Sequence, residues 1–360
     1  MNDSRPTILI TGISGNLGVR LLPRLSEYRI IGVDLSLVPG RPDIELYPLD
    51  LGRESSCVKL VQVLRETNAE AVVHLAFVTE PLRTAVIDRE HIWQINVAGT
   101  ARVMEAISEV NRNGGNVRKF IYPSSVAVYG AETNQTTNED TPLSARPLKQ
   151  ANHKTETDGV VRMRAGSMGK CNTYLLRSPT YAGATVESYL LNAIRGHALA
   201  IGNMEKKTRS RQKPLLSYLP AGEWSPQKLV QFLHVDDMAR LITWLLRRTA
   251  PDESELLTLN VAGSGSPLSI SQCAEIAQMR IRQLPSKWVC TKITTMLCNR
   301  GVLSVPPDAL SYLTGSQTTS TQKLRELLGS DYEKVIQYST EAALRDSFAK
   351  TEAAEAACGN

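Results

Sequence analysis

Thr11-Gly12-Ile13-Ser14-Gly15-Asn16-Leu17-Gly18 follows directly on the apolar run Ile8-Leu9-Ile10. A buried strand thus runs into a glycine-rich turn, and Asn16 to Ser26 then reads as a helix. Gly12 permits the tight turn, Gly15 lets the backbone approach a pyrophosphate, and Gly18 lets helix and strand pack closely. Phosphates would sit at the backbone of Ser14, Asn16 and Leu17, where the helix opens with free N–H groups. Three glycines alone describe many ordinary turns. Here, however, a second strand, Arg29-Ile30-Ile31-Gly32-Val33, ends in Asp34. An acid at that place accepts hydrogen bonds from an adenosine ribose diol and repels a 2′-phosphate. The pattern points to NAD rather than NADP.

The chain has 360 residues and a net charge of +5, enough length for one large α/β domain or for a domain with an appendage. Its densest basic run, Lys206 to Lys213, has no interleaved aromatic residues and reads as a solvated loop. Nucleic acid is therefore not an expected partner. The six cysteines are far apart and form no Cys-x-x-Cys pair, so neither a metal cluster nor a disulfide framework is expected. No apolar segment precedes the first strand, and no later run is long enough to span a bilayer. A cytoplasmic protein without membrane contact is expected.

Short apolar strands alternate with helical stretches through the first half. Strands are expected at 44–47, 71–76, 119–122 and 173–176, with helices at 55–67 and around Ile92 to Ile107. Such alternation implies a Rossmann-type, doubly wound parallel sheet with helices on both faces. Regularity fails from about Val186, where Pro214, Pro220, Gly222 and Pro226 break the chain. The expected division is a Rossmann domain at 1–185, completed by about 230–265. A smaller, irregular substrate region would comprise 186–229 and 266–345, and 346–360 would form a flexible tail. The stretches 232–237 and 257–261 are expected at the rim of the main sheet.

Taken in order, Thr11-Gly12-x-x-Gly15-x-x-Gly18, Asp34, Asp50-Leu51, His74-Leu75-Ala76 and Asn96-Val97-Ala98-Gly99-Thr100 resemble the extended short-chain dehydrogenases, the branch of nucleotide-sugar epimerases and dehydratases. Ser124-Ser125-Val126-Ala127-Val128-Tyr129-Gly130, Leu176-Arg177-Ser178-Pro179 and His234-Val235-Asp236-Asp237 extend the resemblance to at least residue 330. The resemblance implies roles. Asp50 and Leu51 would hold the adenine, while Leu75 and Ala76 would line the cofactor towards its nicotinamide end. Asn96 would anchor backbone or a water near the site, and Ser125 would hydrogen-bond the reacting oxygen. A Tyr-x-x-x-Lys motif would supply the acid/base, its Lys lowering the phenol's pKa and holding the nicotinamide ribose. A homodimer through the helices at 92–107 and 154–163 is implied as well.

The corresponding motif reads Gln150-Ala151-Asn152-His153-Lys154. Lys154 is kept, but Gln150 stands where the resemblance places the tyrosine. An amide donates and accepts hydrogen bonds yet does not titrate in the working range. Thr180 and Ala182 also stand where family members often carry Asn and Tyr. His153 has a suitable intrinsic pKa and shares a helix face with Gln150, although a surface or supporting histidine is the simpler reading. Tyr181 and Tyr129 are further candidates, and His74 reads as a neighbour of the glycine turn.

Two functions compete on these residues. One is an NAD-dependent epimerase, dehydratase or reductase acting on a nucleotide sugar or a similar hydroxylated small molecule, with Ser125, Gln150, His153 and Lys154 at its catalytic end. The other is a non-catalytic NAD-binding protein of the same fold with a structural or regulatory role.

Overall fold

Alternation along the buried strands builds two cores. In the computed structural model, Ile8 and Ile10 of β1 (Thr7–Thr11) belong to one core and Leu9 to the other. The same division holds for Val73 against Val72 on β4 (Ala71–His74), Ile121 against Phe120 on β5 (Lys119–Ser125), and Leu176 against Leu175 on β6 (Asn172–Ser178). Successive side chains of a strand leave on opposite faces, so a sheet apolar on both must be covered on both. The structure describes residues 4–78, 89–131, 133, 135–144, 149–188, 190–191, 219–220, 227–249, 251–278, 283–284, 288–289, 292–293, 295–296 and 316–349.

β2 (Arg29–Asp34), β3 (Glu45–Pro48) and β9 (Leu256–Asn260) complete a parallel sheet in the order β9-β6-β5-β4-β1-β2-β3. α2 (Ser56–Thr67) and α4 (Gly99–Arg112) cover one face, through Leu60, Leu64, Val103 and Ile107. α6 (Val235–Arg247) and α8 (Gln322–Leu328) cover the other, through Leu241, Leu245 and Leu324. The order of winding reverses between β1 and β4. Ligands of open α/β sheets bind outside the strand ends at that switch point, which here carries the Gly12 turn and the 75–78 loop.

Several elements depart from the sequence expectation. α1 spans Asn16–Leu21, and Leu22–Arg24 tightens into a 3-10 turn containing Pro23, so the helix stops short of Ser26. The helix expected around Ile92 to Ile107 is interrupted: α3 (Arg89–Trp93) and α4 are joined by a π-helical turn at Gln94–Ala98. The stretch 232–237 is not at the rim of the main sheet. Phe232–His234 (β8) pairs with Thr180–Ala182 (β7) in a separate two-stranded parallel ladder, and Val235 already begins α6. The His234 side chain caps that helix by accepting from the Asp236 N–H, and Asp236 and Asp237 lie in its first turn, where carboxylates are favoured. By contrast, 257–261 does supply the edge strand β9, opposite Thr173–Arg177.

A third core joins Ala182, Val186, Phe232 and Val235 to Leu268, Ile270, Ala343 and Leu344. It packs α7 (Ile270–Ile276) and α9 (Thr340–Asp346) beside the main sheet. Residues 346 and 347, expected in the tail, are held in this region. Asp346 accepts from the Ala184 N–H, and the Ser347 hydroxyl accepts from the Gly183 N–H. The basic run 206–213 and residues 350–360 lie outside the described residues.

Candidate active site

The turn after β1 is shaped by backbone contacts that tolerate no side chain. Gly12 has φ +68°, and a Cβ on it would lie 2.6 Å from the Ala76 nitrogen. One on Gly18 would collide with the Ile13 carbonyl, so α1 sits against the turn as the glycine spacing predicts. Gly15 precedes α1 in an extended conformation; the nearest atom to a Cβ there is the Gly12 oxygen at 3.1 Å. This cradle of small residues fits the approach of a pyrophosphate.

Asp34 closes β2 beside that turn. Its Oδ2 accepts from the Ser14 N–H and hydroxyl at 2.9 and 2.8 Å, and its Oδ1 from the Leu35 and Ser36 N–H groups at 2.7 and 3.2 Å. The Asn16 amide reaches instead to Thr185, and Leu17 packs between two cores. Asp50 Oδ1 accepts from the Gly52 N–H, while Oδ2 faces His91 Nε2 at 3.2 Å and Arg53 Nε at 3.4 Å. Leu51 is buried beneath Gly99, and its carbonyl accepts from Arg102.

His74 and Asn96 belong to one hydrogen-bond chain. The Thr100 hydroxyl donates to the Asn96 carbonyl at 2.7 Å, so it accepts from His74 Nε2–H at 2.8 Å. His74 Nδ1 then accepts from the Thr11 hydroxyl at 2.6 Å, which itself accepts from the Ala76 N–H at 3.3 Å. Burial holds the imidazole neutral, lowering its pKa to about 3, with the Lys154 charge adding to the effect. The Asn96 amide clasps both backbone groups of Val78, at 2.7 and 2.8 Å. Together they hold the loop that presents Leu75, Ala76 and Phe77. His74 is the structural neighbour of the glycine turn that its position suggested.

At the other side of this loop, Ser125 ends β5 and its Oγ accepts from the Ala127 N–H at 3.2 Å. α5 (Lys149–Arg164) carries the backbone of Gln150, whose side chain lies outside the described residues. His153 Nδ1 lies 3.5 Å from Asn96 Nδ2. Lys154 Nζ stands 3.4 Å from the centre of the Phe77 ring and 5.3 Å from that of Tyr122, and donates to the Pro123 carbonyl at 3.4 Å. Loss of hydration lowers its pKa to about 7, the Asp158 charge opposing. Tyr181 is a poor acid/base: burial raises its phenol to about 12.

Two contributors were not singled out from the sequence. Phe77 reads there as one more apolar residue after a strand. Asp158 lies one helical turn beyond Lys154, a spacing that puts both on one face. Its carboxylate accepts a two-pronged Arg177 guanidinium at 2.7 and 2.9 Å, and Oδ2 also accepts from Ser124 at 3.0 Å. Arg177 further donates to the Tyr129 hydroxyl at 2.9 Å. The pair is almost wholly buried and pins α5 to β5 and β6.

A family model described as the NAD dependent epimerase/dehydratase family matches residues 8–262. The chain belongs to that family. NAD is the cofactor by which the family is described, and the residues of the cradle and Asp34 fit it. Among solved structures, the UDP-Glc/GlcNAc 4-epimerase of Campylobacter jejuni superposes with a TM-score of 0.66 at 17% identity, covering 97% of this chain and 99% of that one. The Bordetella bronchiseptica enzyme WbmG, solved with NAD, gives 0.63 at 16% identity over 98% and 96%. MoeE5, solved with UDP-glucuronic acid and NAD, gives 0.63 at 19% over 97% and 99%. At these identities the likeness is one of fold. No curated protein matches the sequence. Among the described residues, no helix is long and apolar enough to cross a membrane.

Proposed function

We propose that this chain is an NAD-dependent epimerase, dehydratase or reductase of a nucleotide sugar or related hydroxylated substrate, with an altered proton-transfer group. The observation that supports the reading is Lys154 of α5 lying against Phe77 of the clasped 75–78 loop, with Ser125 at the end of β5, the strand next to β4. NAD, when bound, accepts and returns a hydride. Asp34 holds the adenosine ribose, Asp50 and Leu51 flank the adenine, and Ser125 orients the reacting oxygen. Gln150 orients by hydrogen bonding but moves no proton. A homodimer through 92–107 and 154–163 belongs to the same proposal, and sedimentation velocity tests it.

Purified protein, with its nicotinamide content determined, is given UDP-, GDP- and dTDP-sugars while reduced-cofactor absorbance and product sugars are followed. Transient reduction or an altered sugar is expected. Tight NAD binding without reduction or product across the panel favours the second reading, a non-catalytic NAD-binding protein, which the non-titrating Gln150 supports.

A further inference from the structure

Removal of a hydroxyl proton needs a group that changes charge near neutral pH, and Gln150 does not. We infer that Lys154 itself carries that proton, its amine enclosed by the Phe77 and Tyr122 rings acting on the substrate hydroxyl directly. The inference rests on the enzymatic reading above and names its missing group.

The surroundings of Nζ carry the argument. Phe77 from the loop lies against it at 3.4 Å and Tyr122 of β5 at 5.3 Å, and the Pro123 carbonyl is a long 3.4 Å away. Ring faces attract a cation, but they replace water and supply no counter-charge. Among the described residues no carboxylate lies within ion-pair distance of Nζ. Asp158, one turn along α5, is committed to Arg177 of β6 and Ser124 of β5. His74 of β4 is neutral, and burial raises the Tyr122 phenol, so it is neutral as well. His153, beside Lys154 on α5, has its Nδ1 3.5 Å from the Asn96 amide. Burial among these groups, without a counter-charge at hand, favours the neutral amine and lowers its pKa to about 7. Lys154 is partly exposed as a residue.

In the forward step the neutral amine takes the hydroxyl proton and becomes an ammonium. With NAD bound, the C–H bond at the same carbon would break, its electron pair and hydrogen leaving as hydride to the oxidised cofactor, and the alcohol would become a carbonyl. Return of the proton from the Lys154 ammonium to that oxygen reverses the balance as the C–H bond reforms.

The test titrates full-length protein labelled at lysine 13Cε, with the Lys154 signal assigned by its loss in Lys154→Arg. A midpoint near 7 is expected, moving up by about one unit or more in Phe77→Ala as water returns, a tenfold change in proton affinity. With a turned-over sugar nucleotide, kcat/KM should rise through the same midpoint and shift with Phe77→Ala. Lys154→Arg should lose about 10²–10⁴-fold in kcat while calorimetry still detects NAD. Turnover with a Lys154 midpoint near its ordinary value of about 10, or turnover kept in Lys154→Arg, overturns the inference and leaves the enzymatic reading standing. A pH profile that follows His153→Gln and ignores Phe77→Ala does the same. A midpoint near 7 with no turnover of any sugar nucleotide overturns the enzymatic reading, and this inference with it.

Discussion

At the end of β2, four donors fix the Asp34 carboxylate, with the Ser14 hydroxyl the one able to rotate away. On the role proposed for it, Asp34→Ala would remove both the ribose acceptor and the charge that opposes a 2′-phosphate. NAD affinity should fall about tenfold, as expected for one charged hydrogen bond, and the NAD-over-NADP preference should shrink; calorimetry with both dinucleotides measures this. His74 gives a pH prediction. Its folded pKa, about 3, lies below the ordinary 6.5, so the unfolded chain binds a proton first as pH falls. Stability from this residue is complete above 6.5 and is lost towards 3, at about 1.4 kcal/mol per pH unit. Urea unfolding across that range should show a slope that His74→Gln lacks. Asp34 was legible because its place after a second strand is a sequence position. The role of Phe77 was not, since an aromatic following a strand looks the same whether it fills a core or covers an ammonium.

Among the elements, α5 is anchored by a buried ion pair rather than by an apolar stripe. Arg177→Met strands the Asp158 carboxylate, and the expected loss is about 3–5 kcal/mol. Arg177→Met with Asp158→Leu should cost less than the two single changes together, because no charge is then buried alone. A double-mutant cycle by urea unfolding measures the coupling; strict additivity would contradict it. The strands and the covers α2 and α4 were legible from apolar runs and a 3.6-residue spacing. The start of α6 was not, since Phe232-Leu233-His234-Val235 reads as one apolar run and the turn into helix depends on a cap by the His234 side chain. The π turn at Gln94–Ala98 was also hidden, as its extra residue per turn keeps the apolar spacing nearly helical.

Over the whole molecule, the late part of the chain returns to brace the loop that follows β7. Asp346 bonds the Ala184 N–H and His234, whose ring stacks on Tyr338 at 3.7 Å. Because His234 Nδ1 accepts from Asp236, its Nε2 carries the hydrogen that Asp346 receives. Asp346→Ala should cost about 1–2 kcal/mol and speed amide hydrogen exchange at Gly183 and Ala184; unchanged exchange there would remove Asp346 from this role. Repeated β–α alternation, the glycine turn, Asp34 and the family likeness are properties of neighbouring residues, so the sequence by itself determined the sheet, its winding and the family. The folded chain alone decided what surrounds each site residue. Lys154 meets Phe77 and Tyr122, Asp158 meets Arg177, and Asp346 meets His234 across separations that depend on strand order and register, which no local pattern encodes.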